Sequence, residues 1–140
     1  MSRRGFTLVE LLIVIIILAV IAAIAIPKFN NSSRMAKEAA LKDRISLLRS
    51  AVEQFHSDTG LYPANLNTLL RDSHGDTALN SAGQAVMPAA NSFCGPYLNS
   101  IPKDPISGGS FSYTTTAPNV GRVLSGTRGN FLDGSLYTDF

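Results

Sequence analysis

"SRRGFTLVELLIVIIILAVIAAIAIPK", residues 2–28, decides how this chain is organised. From Leu11 to Ile26 every residue is apolar, and between Phe6 and Ile26 the one charged side chain is Glu10. As a helix, Phe6 to Ile26 extends roughly 32 Å at about 1.5 Å per residue. A bilayer core is about 30 Å thick, so the stretch is long enough to cross it. Arg3 and Arg4 stand directly before the run, which predicts a cytoplasmic N-terminus with the rest of the chain on the far side.

Three readings compete for this segment. A secretory signal peptide has a basic start, a shorter apolar region and a small-residue cleavage site, which Ala23-Ile24-Ala25 resembles. The length of the run and the carboxylate inside it count against that. A single-span anchor accounts for the length but gives Glu10 no purpose. In the third reading the chain is cut after Gly5 and the apolar segment is kept.

Arg-Arg-Gly-Phe-Thr-Leu-Val-Glu at residues 3–10, with the apolar run behind it and Pro27 closing it, resembles the class III signal of type IV pilins and type II secretion pseudopilins. The resemblance implies cleavage after Gly5 by a membrane-embedded prepilin peptidase and N-methylation of Phe6. It also implies assembly into a homo-oligomeric filament. An inner-membrane platform, a cytoplasmic ATPase and minor pilins or pseudopilins would be the other partners.

Glu10 then gains a physical reason. Cleavage creates an α-ammonium at Phe6, with an unperturbed pKa of about 8. An unpaired charge well inside a bilayer costs roughly 2.5–3.5 kcal/mol on insertion scales, and less near the interface. Four residues on and on the same helical face, Glu10 can compensate its own amine or that of a neighbouring subunit. The second option makes the buried charge a device for register. A glutamate in the first helical turn is also simply what the helix dipole favours.

Past Pro27 the character changes. Asn30-Asn31-Ser32-Ser33 are weak helix formers behind a proline, which predicts a kink or a locally melted helix over residues 26–33. Leu41, Ile45, Leu48, Val52 and Phe55 then form one apolar stripe at helical spacing, with Glu38 and Lys42 four residues apart and Thr59-Gly60 as the stop. The stripe is expected to pack on the chain's own C-terminal part.

That part reads as a small, loop-rich head with a short helical patch at Leu66, Leu69 and Leu70 and an extended loop over 71–92. Turns are expected at Gly95-Pro96, Asp104-Pro105 and Gly108-Gly109. Strands are expected at Phe111–Thr115, Arg122–Leu124 and Ser135–Phe140, with a turn at Pro118-Asn119. The predicted fold is α+β: a long N-terminal helix, membrane-spanning then amphipathic, packed on an antiparallel sheet of about three strands. The chain divides into a leader (1–5), an assembly helix (6–28), an amphipathic helix (29–57) and a head (58–140).

"Gly-Leu-Tyr-Pro" at 60–63 and "Gly-Pro-Tyr-Leu…Pro-Lys-Asp-Pro" ending at Pro105 resemble the head of the major pseudopilins. That family typically ends in a Gly- and Asp-rich loop that binds calcium. Here "GTRGNFLDGSLYTDF" offers only Asp133 and Asp139, without the dense run of oxygen ligands calcium needs, so no cofactor is expected and calcium is left open. The two cysteines that close a C-terminal loop in many type IV pilins are also missing, since Cys94 is the one cysteine and no intrachain disulfide can form.

Twelve basic residues against ten acidic give no general polyanion binder. Residues 28–57 hold six basic against three acidic residues, and residues 58–140 hold four against six. A basic stalk and an acidic head can attract one another between staggered subunits, although mixed charge is ordinary for a solvated helix face. Specific nucleic-acid binding has no aromatic or groove-fitting support.

No enzyme is expected. His56 and His74 lack metal-site spacing, no Ser, His and acid constellation stands out, and no glycine loop fits a phosphate. The function expected is a pilin-like subunit, first of all of a type II secretion pseudopilus that drives protein export. Its rivals are a type IV pilus subunit for adhesion, motility or DNA uptake, and a membrane-anchored periplasmic binding module that never polymerises. The chain is expected in the inner membrane with its head in the periplasm, and afterwards in a periplasmic or extracellular filament.

Overall fold

The computed structural model describes residues 5–71, 77–89 and 92–139, the side chains of residues 26–30 and 139 aside. Arg3, Arg4 and His74 lie outside the described residues, as do 72–76 and 90–91 of the loop expected over 71–92. The chain divides into two units, Met1–Ala36 and Lys37–Phe140. Helix α1, Leu8–Thr59, contributes to both.

In the first unit none of the apolar residues whose side chains are described is buried. The stretch Leu8–Ala25 has a mean hydropathy of 3.2 and none of it is buried. Leucine and isoleucine side chains left in water would forfeit roughly 1.5–3 kcal/mol each relative to burial, so this surface is built for lipid or for neighbouring helices. The backbone stays helical through Pro27 and Asn30–Ser33, which corrects the expectation of a melted stretch. A proline deletes one hydrogen bond of the ladder, and the turns on either side still carry theirs.

The second unit is organised by the stripe on α1. Leu41, Ile45, Leu48, Val52 and Phe55 are buried, and they form one core with residues of the head such as Leu69, Phe93, Phe111 and Val123. Phe55 meets Phe93 and Tyr97 edge to face, with ring centroids 5.9 and 5.6 Å apart. The helix stops as expected, with Gly60 at φ 69° taking the left-handed turn and its N–H reaching His56 O at 2.8 Å.

The architecture is α+β. Strands β1 (Tyr62–Pro63), β2 (Ala78–Leu79) and β3 (Ala85–Val86) form an antiparallel sheet in the order β1-β2-β3. Strands β4 (Ser112–Tyr113) and β5 (Val123–Leu124) form a separate antiparallel hairpin, where the sequence places one. The Leu66, Leu69 and Leu70 patch is a 3-10 helix, Leu66–Leu70, capped by the Asn65 side chain.

Two strand expectations need correction. Within 71–92 the chain is not simply a loop, because β2 and β3 pair across a turn built by Asn80. The Asn80 Oδ1 accepts from Ala82 N at 3.0 Å and Gln84 N at 2.9 Å, which closes the turn locally. At the other end, where a strand was expected over Ser135–Phe140, the described residues 135–139 do not form one. Asn130 and Leu136 make one isolated bridge, and the chain then tightens into a 3-10 helix at Tyr137–Asp139. Tyr137 is drawn inwards there, its ring 4.6 Å from that of Phe131.

Asp104 ties the expected Asp104-Pro105 turn to the segment after β5. It is 1% exposed. Its Oδ1 accepts from Ile106 N at 2.8 Å and Ser107 N at 3.2 Å, while its Oδ2 accepts from the hydroxyls of Ser125 and Thr127, both at 2.8 Å. Burial pushes this carboxyl up, but the four hydrogen bonds together outweigh it and hold the group below the ordinary 3.8.

Candidate assembly and processing site

Gly5, Phe6 and Thr7 precede the helix in non-helical backbone. Nothing lies within 4 Å of where a Gly5 Cβ would be, and Phe6 is 71% exposed. Among the described residues, then, nothing packs against the Gly5 Cα, and the Phe6 side chain is exposed.

Thr7 is the N-cap of α1. Its Oγ1 accepts from Glu10 N at 3.2 Å, and Glu10 reaches back so that its Oε2 accepts from Thr7 N and from the Thr7 hydroxyl, each at 3.0 Å. This is a capping box, in which two otherwise unpaired amide donors are satisfied reciprocally. The sequence reasoning singled out Glu10 but missed Thr7. The signal was there as the spacing Thr7-x-x-Glu10.

The capping box sets the direction of the carboxylate. It points back along the helix, 3.0 Å from the nitrogen of Thr7 and so one residue from the nitrogen of Phe6. Cleavage after Gly5 would turn that Phe6 nitrogen into the α-ammonium. Gly5, Phe6 and Glu10 thus sit together at the start of α1, whereas Pro27 lies further along it, with its side chain outside the described ones.

In the second unit several charges expected to face a neighbour are engaged within the chain. Arg44 Nη1 donates to Lys103 O, and Arg49 donates to Val123 O through Nε at 3.2 Å and Nη2 at 2.9 Å. Arg49 also shares a groove of about 300 Å³ with Tyr62, Asn119 and Arg122. Partial burial, and then the neighbouring Arg122, lower its pKa from the ordinary guanidinium value.

Cys94 is exposed and free. Its N–H donates to the Tyr97 hydroxyl at 3.2 Å, which itself donates to Asp58 Oδ2 at 2.8 Å. His56 stacks on Tyr62 with ring centroids 4.3 Å apart and sets Nδ1 3.0 Å from Leu61 O, a packing role. Among the described residues no three His, Cys, Asp or Glu side chains come together in a way that could hold a metal ion.

Comparison with known proteins agrees with both halves of the chain. Residues 1–26 match the prokaryotic N-terminal methylation motif, and residues 28–125 match the family of type II secretion system protein G. The chain is 31% identical to type II secretion system core protein G of Klebsiella pneumoniae over 103 residues, 74% of this chain and 69% of that protein. It is 31% identical to the type IV major pilin protein PilA of Myxococcus xanthus over 105 residues, 66% of this chain and 48% of that one. With the type IV wide pilus major component PilA4 of Thermus thermophilus it shares 32% identity over 93 residues, 66% of this chain and 71% of that protein. No solved structure gives a significant match. An apolar N-terminal helix that starts in a processing motif, joined to a matching α+β head, makes this chain a pilin-like structural subunit, and it belongs to the type II secretion system protein G family.

Proposed function

We propose that this subunit builds the pseudopilus of a type II secretion system, a filament that drives protein export. The observation that carries the reading is the match of residues 28–125, all of the amphipathic helix and most of the head, to the protein G family. In this proposal the chain inserts with Arg3 and Arg4 in the cytoplasm, a prepilin peptidase cuts after Gly5, and Phe6 is N-methylated. Glu10, held back over the helix start by Thr7, compensates the new amine of its own chain and then that of a neighbour, which sets the register. Pro27 is the proposed bending point of the helix. The ATPase and the inner-membrane platform supply the work of extraction, since the unburied 18-residue stretch Leu8–Ala25, apolar apart from Glu10, holds the subunit in lipid.

A surface type IV pilus is the second reading, favoured by the pilins of Myxococcus xanthus and Thermus thermophilus at similar identity. Mechanical shearing of intact cells separates the two. Processed protein retained in the envelope, with exported proteins missing from the medium of a deletion strain, is the result expected. Abundant processed protein in the sheared fraction would overturn the pseudopilus reading in favour of the pilus.

A further inference from the structure

The resemblance to major pseudopilins implies calcium in the C-terminal loop, and the described side chains there, which leave out that of Asp139, do not fit it. Calcium takes about six to eight oxygen ligands at roughly 2.3–2.6 Å. In residues 129–137 the one carboxylate is Asp133. Its Oδ1 accepts from Ser135 N at 2.9 Å and from Ser135 Oγ at 2.6 Å, and its Oδ2 faces Lys42 Nζ at 3.9 Å. The carboxylate that α1 brings to this loop is Glu38, 7% exposed. Its Oε2 accepts from Leu132 N at 3.1 Å and its Oε1 from the Tyr137 hydroxyl at 3.2 Å. Both carboxylates are thus committed to N–H and O–H donors, and an ammonium already stands beside Asp133.

We propose that this loop is closed by a metal-free clasp, in which Glu38 and Lys42 of α1 do the work a bound divalent cation would do in a Gly- and Asp-rich loop. The two residues are four apart, on one face of the helix. Glu38 grips the loop through an amide and a phenol. Lys42 grips it through a carboxylate and an aromatic face, its Nζ lying 4.6 Å from the centroid of the Phe131 ring. The Ser135 hydroxyl and amide, with Lys42 assisting, hold Asp133 below the ordinary 3.8, so the anion that Lys42 needs is present at neutral pH. Inside the loop Phe131 N donates to Ser135 O at 2.8 Å and Tyr137 N to Gly129 O at 3.0 Å, so its shape is fixed by hydrogen bonds of its own. The consequence is a head whose stability does not depend on calcium, whichever filament the subunit builds.

The test is thermal unfolding of the full chain in detergent, followed by near-UV circular dichroism in EDTA and again in millimolar calcium. The wild type, Glu38→Gln and Lys42→Met are compared. The wild type is expected to unfold at the same temperature in both buffers. Glu38→Gln is expected to lose about 4 °C or more and Lys42→Met less, each by the same amount in EDTA and in calcium. A wild-type Tm that rises with calcium or falls with EDTA overturns the proposal, and so does a Glu38→Gln chain as stable as the wild type. Should Glu38→Gln fail to fold in either buffer, the wild type and Lys42→Met in the two buffers decide.

Discussion

Asp104 shows what a single buried carboxylate does in this head. Four donors surround it, two from its own turn and two from Ser125 and Thr127. Its folded pKa lies below the ordinary 3.8, so its contribution to stability is complete above that value and is lost as pH falls below it, through the folded pKa. Urea unfolding across a pH series checks this. The wild type should weaken as pH drops below about 4. Asp104→Asn should already be weaker at neutral pH by roughly 1–3 kcal/mol, because an amide cannot accept all four bonds. Its stability should then change less with acid. Asp104 stood out in the sequence as a turn residue, since its own turn lies within three positions of it. Its hydroxyl partners lie 21 and 23 residues away, where no spacing rule applies. Thr7 is the opposite case, a partner legible at three residues.

At the scale of elements, α1 separates neighbours by face. Leu48 is 0% exposed and Leu47 is 51% exposed. Leu48→Ala should destabilise the head by about 2–5 kcal/mol. Leu47→Ala should stay within roughly 0.5 kcal/mol. Denaturant midpoints of the two variants in detergent make the comparison, and equal losses would mean that the stripe is not the seat of the core. The stripe was legible because five large apolar residues repeat at the helical period over four turns. The strands were less so. Each is two residues long, too short for alternation to show, and only the hairpin of β4 and β5 was placed correctly. Gly121, at φ 85° in the turn between them, is packed so closely that a Cβ there would run into the Tyr62 ring. That constraint belongs to the packing of the hairpin turn against the Tyr62 ring, and the sequence carries no mark of it.

For the whole molecule the decisive variants are at the helix start. Glu10→Ala should still be cut and methylated at Phe6 but should give no filaments, as read by N-terminal mass spectrometry and by shear or crosslinking. Gly5→Leu should accumulate as the uncleaved chain. Normal filaments from Glu10→Ala would mean that assembly does not depend on this charge. The sequence by itself determined the parts written in contiguous or periodic residues: the apolar run, the processing motif, the buried stripe, and through them the α+β class and the family. Such features need only near neighbours along the chain, so composition and spacing suffice. The tertiary structure alone decided where the charges go. Arg44 meets Lys103 O across 59 residues, Arg49 meets Val123 O across 74, and Glu38 meets Tyr137 across 99. Contacts of that separation exist only after the core has closed the intervening loops, because each closure costs chain entropy that no local pattern repays.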